Sequence, residues 1–497
     1  MTEIELKFGV LPARAGAIDA ALRRAGARRL SLESRYFDTP DRRLAEAGLS
    51  LRLRRSSGLW EQTLKAPAKG LGERLEENVL RPGRWGVEGP PLDLSLHDGT
   101  PAGARLHDVL GKGGPAAGAI AAAHACRVER RSLEVEAQGG RVEVAFDRGE
   151  VHAGTALAPV CELEYELKDG ESKALIEFGK AAVREHGAWL STLTKAARGD
   201  RLARGETEGE PVKARPPVLD RGMDGAQVFR AALRACLDQV VANASEIGAG
   251  SRAAEAVHQL RVGIRRTRTA WRELAPLCPV AASDWEAPLV EAFRALGAFR
   301  DRHTVVASLQ ARLAASGAPE PTLAASDEAE PADPVEVVRA AAFQHALLDA
   351  LALTLPGEGE PPARSPSETR EFVAARLDRL HKQLRRAARH FEASSPADQH
   401  QARKRLKRLR YLGELTGSLF KAKPVDRYLE RLAPAQDALG THIDLLVGLE
   451  RARSTADAGE AEAWFNVGWL TAQLDASADR CARALDRAAR SDPFWRG

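Results

Sequence analysis

From Thr2 to about residue 204, polar and apolar side chains alternate in short runs. The segments from Thr2 to Phe8, Leu49 to Arg55, Trp60 to Ala66, Arg74 to Leu80, Leu133 to Ala137, Arg141 to Asp147 and Cys161 to Lys168 all do so. That is the period of half-buried antiparallel strands. Short helices are expected at Pro12 to Ala25, at Pro40 to Ala47 with Thr39 as N-cap and Pro40 at the first position, and at Lys173 to His186. Residues 205–220 are Pro, Gly and charge without periodicity and read as a linker. From Ala226 onward the period lengthens to that of helices rich in Ala, Leu and Arg. An acidic, Pro-rich insertion at about 314–368 interrupts it, around one expected helix from Val335 to Leu355. The expected architecture is an α+β multidomain chain: a β-rich domain at 1–204 and an all-α domain at 221–497.

The helical part repeats its polar frame. His258, Arg261, Arg265, Arg266 and Arg268 have the same spacing as His400, Arg403, Lys407, Arg408 and Arg410, and LeuGlyAlaPheArgAsp from Leu296 is followed later by LeuGlyThrHisIleAsp from Leu439. Two helical halves related by a pseudo-twofold are expected.

Composition then changes the picture through its distribution. The 497 residues carry 73 Lys+Arg against 69 Asp+Glu, a net charge of +4. Spread evenly, that balance would argue against a polyanionic partner. Ala314 to Glu368 holds ten acids and two bases, whereas Arg376 to Tyr411 holds twelve bases and three acids. Five scattered cysteines, without a CxxC pair, suggest neither a zinc knuckle nor a disulfide framework and fit a reducing compartment. The N-terminus lacks the basic start and apolar run of a secretory leader, and no apolar stretch approaches the ~20 residues of a spanning helix. A cytoplasmic protein without a membrane partner is expected.

Strand parity gathers the charges. Glu3, Glu5 and Lys7 share one face; so do Arg52 and Arg54; Glu61, Thr63 and Lys65; Arg74 and Glu76; and Glu162, Glu164, Glu166 and Lys168. For one strand, a solvated outer face explains this. Carboxylates concentrated on two strands, with guanidinium and ammonium groups on the strands between, point instead to a site. Hard divalent cations take carboxylate oxygens together with substrate phosphates, and Arg and Lys neutralise the remaining phosphate oxygens. A closed barrel with a charged lumen would hold both sets around one polyphosphate.

Glu3-x-Glu5-x-Lys7, TyrPheAspThrPro (36–40), LeuArgLeuArg (51–54), ThrLeuLys (63–65), AlaPheAspArgGly (145–149), GluLeuGluTyrGluLeu (162–167) and ThrLysAlaAlaArgGly (194–199) occur in this order. Together they resemble the CYTH domain of triphosphate tunnel metalloenzymes. The resemblance implies an eight-stranded antiparallel tunnel that acts on triphosphates with Mg²⁺ or Mn²⁺. It implies Glu3, Glu5, Asp147, Glu162 and Glu164 as metal ligands or carboxylates ordering metal-bound water, with Glu76 beside them. Arg52, Arg54, Lys65 and Lys195 would clasp the triphosphate, together with an arginine from the 127–132 stretch, either Arg127 or Arg131. Lys7, Glu5 and Glu164 would serve the attacking water. The family's usual Ser-Lys reads Thr194-Lys195 here.

At 100° per residue, His258, Arg261, Arg265, Arg268 and Arg272 fall within about 80°, with Leu260, Ile264 and Trp271 behind them. His400, Arg403, Lys407 and Arg410 repeat the stripe, backed by Leu406 and Leu409. Arg261 to Arg272 contains no acid to compensate it at i±4. The stripes resemble the signature helices of the CHAD domain, which binds inorganic polyphosphate, and His258, Arg261, Arg265, Arg266, Arg268, His400, Arg403, Lys407, Arg408 and Arg410 become its expected contacts. Nucleic acid is disfavoured because the stripes hold almost no stacking aromatics. The expected function is metal-dependent hydrolysis of inorganic triphosphate in the tunnel, with polyphosphate held by the helical domain. Thiamine triphosphate or a nucleotide as substrate, or a non-catalytic polyphosphate-recruiting protein, are the alternatives.

Overall fold

A computed structural model describes residues 2–68, 73–86, 88–111, 120–137, 139–278, 284–319, 321–323, 331–356, 363–457 and 462–496. The chain divides into two compact units. The first comprises Met1–Val212, Val241–Arg252 and Val338–Leu355; the second comprises Lys213–Val240, Ala253–Val337 and Pro356–Gly497.

In the first unit the strands are β1 (Thr2–Gly9), β2 (Arg28–Asp38), β3 (Ser50–Ser56), β4 (Leu59–Pro67), β5 (Glu73–Arg81), β6 (Ala121–Ala137), β7 (Gly140–Ala153), β8 (Ala156–Gly170) and β9 (Trp189–Leu190). They pair antiparallel in the order β5-β4-β3-β2-β6-β7-β8-β1, and β5 pairs again with β1, so eight strands close on themselves. The two-residue β9 adds to β1 beside that closure. Helices α1 (Ala15–Arg24), α2 (Arg43–Glu46), α3 (Pro101–Leu110), α4 (Lys173–His186) and α5 (Lys195–Ala203) belong to the same unit.

Closure with charges at alternate positions turns the usual layering inside out. The apolar faces of the strands point away from the barrel axis and pack under helices. Leu51, Leu64 and Ala66 join Leu44 of α2 and Leu106 and Leu110 of α3 in one core, while Phe8 and Tyr165 meet edge to face and Phe178 of α4 covers Tyr165. Burying such a side chain contributes roughly 1.5–3 kcal/mol. The lumen is left mainly for charged and polar groups, with Leu30, Leu32, Val128 and Leu167 completing part of its wall.

Helix α2 begins three residues later than Pro40. Arg42 takes a left-handed conformation (φ 61°), and the Asp38 carboxylate accepts from the backbone N–H groups of Leu44 and Ala45 at 2.9 Å each. Thr39 Oγ1 caps Arg43 instead of Pro40's turn, at 3.0 Å. The expected helix over 335–355 is two: α10 (Pro334–Arg339) and α11 (Ala341–Ala352). Residues 338–355 belong to the first unit because α11 buries Phe343, Leu347 and Leu348. Leu348 reaches Gly179 of α4, where any side chain would crowd it, and Asp349 pairs with Lys180 at 2.7 Å.

The second unit is helical: α6 (Gly225–Gly248, as far as Val240), α7 (Ala254–Leu274), α8 (Glu286–Arg300), α9 (Ala307–Ala315), α12 (Pro366–Arg389), α13 (Pro396–Thr416), α14 (Ala422–Asp457) and α15 (Ala463–Ala489). The repeated frame lies on α7 and α13, whose apolar faces (Leu260 and Ile264; Leu406 and Leu409) are fully buried. Among the described residues, no helix is long and apolar enough to cross a membrane.

Candidate functional site

The barrel encloses a cavity of about 580 Å³ lined by Glu5, Lys7, Arg52, Arg54, Lys65, Arg74, Glu76, Arg130, Asp147, Glu164, Lys168 and Lys195, among others. Register explains the grouping. Lys7 lies opposite Glu164, Glu5 opposite Glu166, and Asp147 opposite both Glu162 and Arg130. Asp147, Glu162 and Glu164 each offer an oxygen within 4.8 Å of the others, and all three are buried. Of Glu3 only the backbone is described, in register with Arg74; its side chain lies outside the described residues.

Three cations hold these carboxylates in place. Lys195 at the first position of α5 lies 2.6 Å from Asp147 and 2.9 Å from Glu164, and it also hydrogen-bonds Glu162. Thr194 caps that helix by accepting from Ala197 N–H at 3.0 Å, which keeps the hydroxyl at this position useful. Arg130 takes Asp147 in a two-pronged grip, 2.7 Å on each side, and donates to Glu164 as well. Lys7 stands 3.1 Å from Glu164 and 3.7 Å from Glu162.

Burial opposes the charges of Lys7, Arg130, Asp147, Glu164 and Lys195, and the mutual attraction outweighs it. It pulls the Lys195 pKa down, yet Asp147, Glu162 and Glu164 leave it well above the ordinary lysine value. Likewise, burial pushes Glu164 up, but Lys195, Lys7 and Arg130 hold its carboxyl well below the usual range. Asp147 is also lowered, by Lys195 and Arg130 against burial. At neutral pH Asp147 and Glu164 are therefore acceptors only. Farther along the wall Lys65 reaches Glu76 at 2.6 Å and Arg54 reaches Glu61 at 2.7 Å, and Arg52 beside it draws the Arg54 pKa down.

Neither Arg127 nor Arg131, the two candidates from residues 127–132, lines the cavity. Arg127 is 69% exposed and stands 3.9 Å from Glu33, and Arg131 pairs with Asp19 of α1, so both point out of the barrel. Their shared parity is the outer one. Arg130 faces the lumen together with Cys126 and Val128, because β2 sets Leu32 against Val128 and Ser34 against Cys126, and the same positions of β2 face Ser56 and Arg54.

A second cavity, of about 540 Å³, lies within the helical unit. It is lined by His258, Arg261, Arg265, Arg268, Arg272, Arg294, His400, Arg403, Lys404, Lys407 and Arg408, with Asp301 and Asp444 also in its wall. Both stripes thus reach one cavity. Two of the expected contacts do not: Arg266 is 2% exposed and pairs with Glu414, and Arg410 binds the same carboxylate at 2.8 Å. Arg266 lies on the core side of its helix, whereas the 28% exposed Arg410 sits at the edge of its stripe and is drawn to Glu414 one turn on. The stripes are also less bare than local sequence implied, since Glu286 of α8 takes Arg268 at 2.8 Å and Arg272 at 2.7 Å. Burial, followed by Lys404, Arg403, Arg265 and Lys407, lowers the His400 pKa.

A family model described as the CYTH domain matches residues 1–199, and one described as the CHAD domain matches residues 231–453. The chain is a CYTH–CHAD fusion. An inorganic triphosphatase of Haemophilus influenzae is 29% identical over 205 residues, which are 40% of this chain and 54% of that protein; the chain spans about half the length of that curated relative. Among solved structures, the CHAD domain of Ricinus communis aligns at TM-score 0.44 and 26% identity over 56% of this chain and 96% of its own. A Hippeastrum adenylyl cyclase candidate with a dominant triphosphatase activity aligns at 0.31 and 18% over 41% and 96%.

The CYTH tunnel brings together Glu5, Lys7, Arg52, Arg54, Lys65, Glu162 and Glu164, which strand alternation groups, with Asp147 and Lys195, which only the family resemblance implied; Arg130, marked by neither, joins them. In the CHAD cavity, sequence patterning found the stripes but not Arg294 of α8, whose sequence neighbourhood carries no repeat of the basic frame.

Proposed function

We propose that the CYTH tunnel hydrolyses inorganic triphosphate with a divalent cation and that the CHAD cavity binds inorganic polyphosphate. The observation that carries the first part is the buried trio Asp147, Glu162 and Glu164, set among Lys7, Arg130 and Lys195 inside a lumen lined further by Arg52, Arg54 and Lys65. An all-carboxylate donor set at this spacing suits Mg²⁺ or Mn²⁺, which keep several water ligands and bridge to phosphate oxygens. Such an ion, when bound, would supply charge neutralisation and polarisation of the phosphoryl group.

The chain's own residues do the rest. Arg52, Arg54, Lys65 and Arg130 offer N–H donors along the wall for the non-bridging phosphate oxygens and so align the triphosphate. Lys195 and Lys7 place ammonium groups where the chain of phosphates meets the carboxylates. Glu164, held ionised, accepts a hydrogen bond from water and orients it; its lowered pKa makes it a positioning group rather than a proton sink. Charge placed in advance, in a site that excludes bulk water, is the main device by which phosphoryl transfer is accelerated.

Tyr36 favours inorganic triphosphate over thiamine triphosphate or a nucleotide. Among the described lining residues it is the only aromatic, it is 4% exposed, and its ring is stacked on His124 at 4.7 Å. Among the described residues, the lumen therefore offers a heteroaromatic ring little aromatic surface to stack on. The deciding experiment measures phosphate release from tripolyphosphate, thiamine triphosphate and ATP with Mg²⁺, Mn²⁺ or EDTA. Metal-dependent release with the highest kcat/KM on tripolyphosphate is expected. Release from none of the three would leave a binding protein.

A further inference from the structure

The position of Lys195 depends on a short piece of chain, Leu190 to Thr194, that connects β9 to α5. On one side this piece is tied to the strand bearing Glu5 and Lys7: Ser191 N–H donates to the Lys7 carbonyl at 2.8 Å, and Leu190 pairs with Phe8. Its other side is held by two side chains that come from far along the sequence. Leu190 N–H donates to Oε1 of Gln344 on α11 at 2.8 Å, and Thr192 N–H donates to Oγ of Ser245 on α6 at 3.0 Å. Gln344 is itself fixed by donating to the Val338 carbonyl at 2.7 Å. Both are 0–1% exposed.

The neighbouring contacts act in the same sense. The Trp189 ring lies against Gly9 of β1 and Gly248 of α6, where any side chain on either glycine would collide with it. The Arg339 guanidinium covers that ring at 4.2 Å while donating to the Gly248 carbonyl at 2.9 Å. Beyond Lys195, Arg201 of α5 grips Glu246 with bonds of 2.8 and 2.7 Å. Residues 241–252 and 338–355 therefore bracket the Lys195 backbone on both sides.

We propose that Ser245 and Gln344, two residues outside the CYTH match, are positioning residues for Lys195, so that the tunnel reaches its working geometry only with these segments in place. The proposal rests on the triphosphatase reading for its kinetic consequence and on geometry alone for its structural one. A charged group that must meet three carboxylates and a phosphate has little tolerance: a displacement of about 1 Å at a reacting centre costs on the order of 100-fold. Loss of one buried hydroxyl acceptor frees Thr192 N–H, and loss of the Gln344 amide orphans Leu190 N–H and the Val338 carbonyl.

The test uses the full chain carrying Ser245→Ala, Gln344→Ala, both together, and Ser245→Thr. Trace acylation with acetic anhydride, read by mass spectrometry, compares Lys195 with the exposed Lys173. The labelling ratio is expected to rise about fivefold in the double variant, as local opening frees the ammonium, and to stay near wild type in Ser245→Thr, which keeps the hydroxyl. Alongside, kcat/KM on tripolyphosphate is expected to fall about tenfold, chiefly through KM. An unchanged labelling ratio in a folded double variant overturns the proposal, even where thermal stability drops. Absence of hydrolysis by the wild type would remove the function proposed above and leave the labelling comparison to decide the positioning role.

Discussion

The Lys195 ammonium lies 2.6 Å from the Asp147 carboxylate, a group with no solvent exposure. Each charge justifies the burial of the other, and neither can be removed alone without cost. Breaking a buried pair by deleting one partner costs about 3–5 kcal/mol, more than its presence contributes over an apolar substitute. Lys195→Ala is therefore expected to lose about that much stability in urea denaturation. A divalent cation should restore part of it by compensating the three carboxylates. Larger stabilisation by Mg²⁺ or Mn²⁺ in Lys195→Ala than in wild type is the expected sign; equal stabilisation would count against a cation at this trio.

Arg130 and Arg131 are adjacent in sequence and opposite in consequence. Arg130→Ala removes a donor from the lumen and a partner from Asp147 and Glu164, and kcat on tripolyphosphate should fall about 10²–10³-fold. Arg131→Ala breaks an ion pair with the 40% exposed Asp19 and should leave turnover unchanged, at a stability cost of about 0–1 kcal/mol. Steady-state kinetics of the two variants separate them, and equal losses would refute the lumen assignment.

The helical cavity makes a similar contrast. Arg265→Ala with Lys407→Ala should weaken retention of polyphosphate and lower the slope of log affinity against log salt by about 1.4, near 0.7 for each lost contact to a flexible polyanion. Arg266→Ala should leave that slope in place and reduce stability instead, since its guanidinium pairs with Glu414 beneath the cavity wall. Titrations at several salt concentrations distinguish the two outcomes.

Acid should destabilise the CYTH unit through His124. Burial lowers this imidazole from 6.5 to about 4, and among the described residues neither ring nitrogen has a hydrogen-bond partner. Because the folded value is depressed, the unfolded chain binds the proton more readily. Stability is full above pH 6.5 and is lost as the pH falls from there toward 4. Denaturation midpoints measured across that window should show a shallower slope for His124→Leu than for wild type; parallel slopes would contradict the assignment.

Much of the candidate site was legible because alternation within one strand is local. Glu5 and Lys7, or Arg52 and Arg54, share a face whatever the rest of the chain does. Arg130 was within reach of the same logic. Gly139 and Gly140 mark the turn between β6 and β7, and equal steps back from it set Arg130 against Asp147. Arg127 and Arg131 share the opposite parity, which is the outward one.

By itself, the sequence determined the strand periods, the division into a β-rich and a helical part, the two basic stripes and most of the lumen charges, since each follows from the order of neighbouring side chains. Tertiary structure alone decided which parity of β6 faces inward, that Arg266 and Arg410 turn to Glu414, and that Ser245 and Gln344 hold the chain leading to Lys195. The reason is distance along the chain. Leu190 and Gln344 are 154 residues apart, and no periodicity links a backbone N–H to an amide oxygen brought to it only by the packing of a later helix on an earlier one.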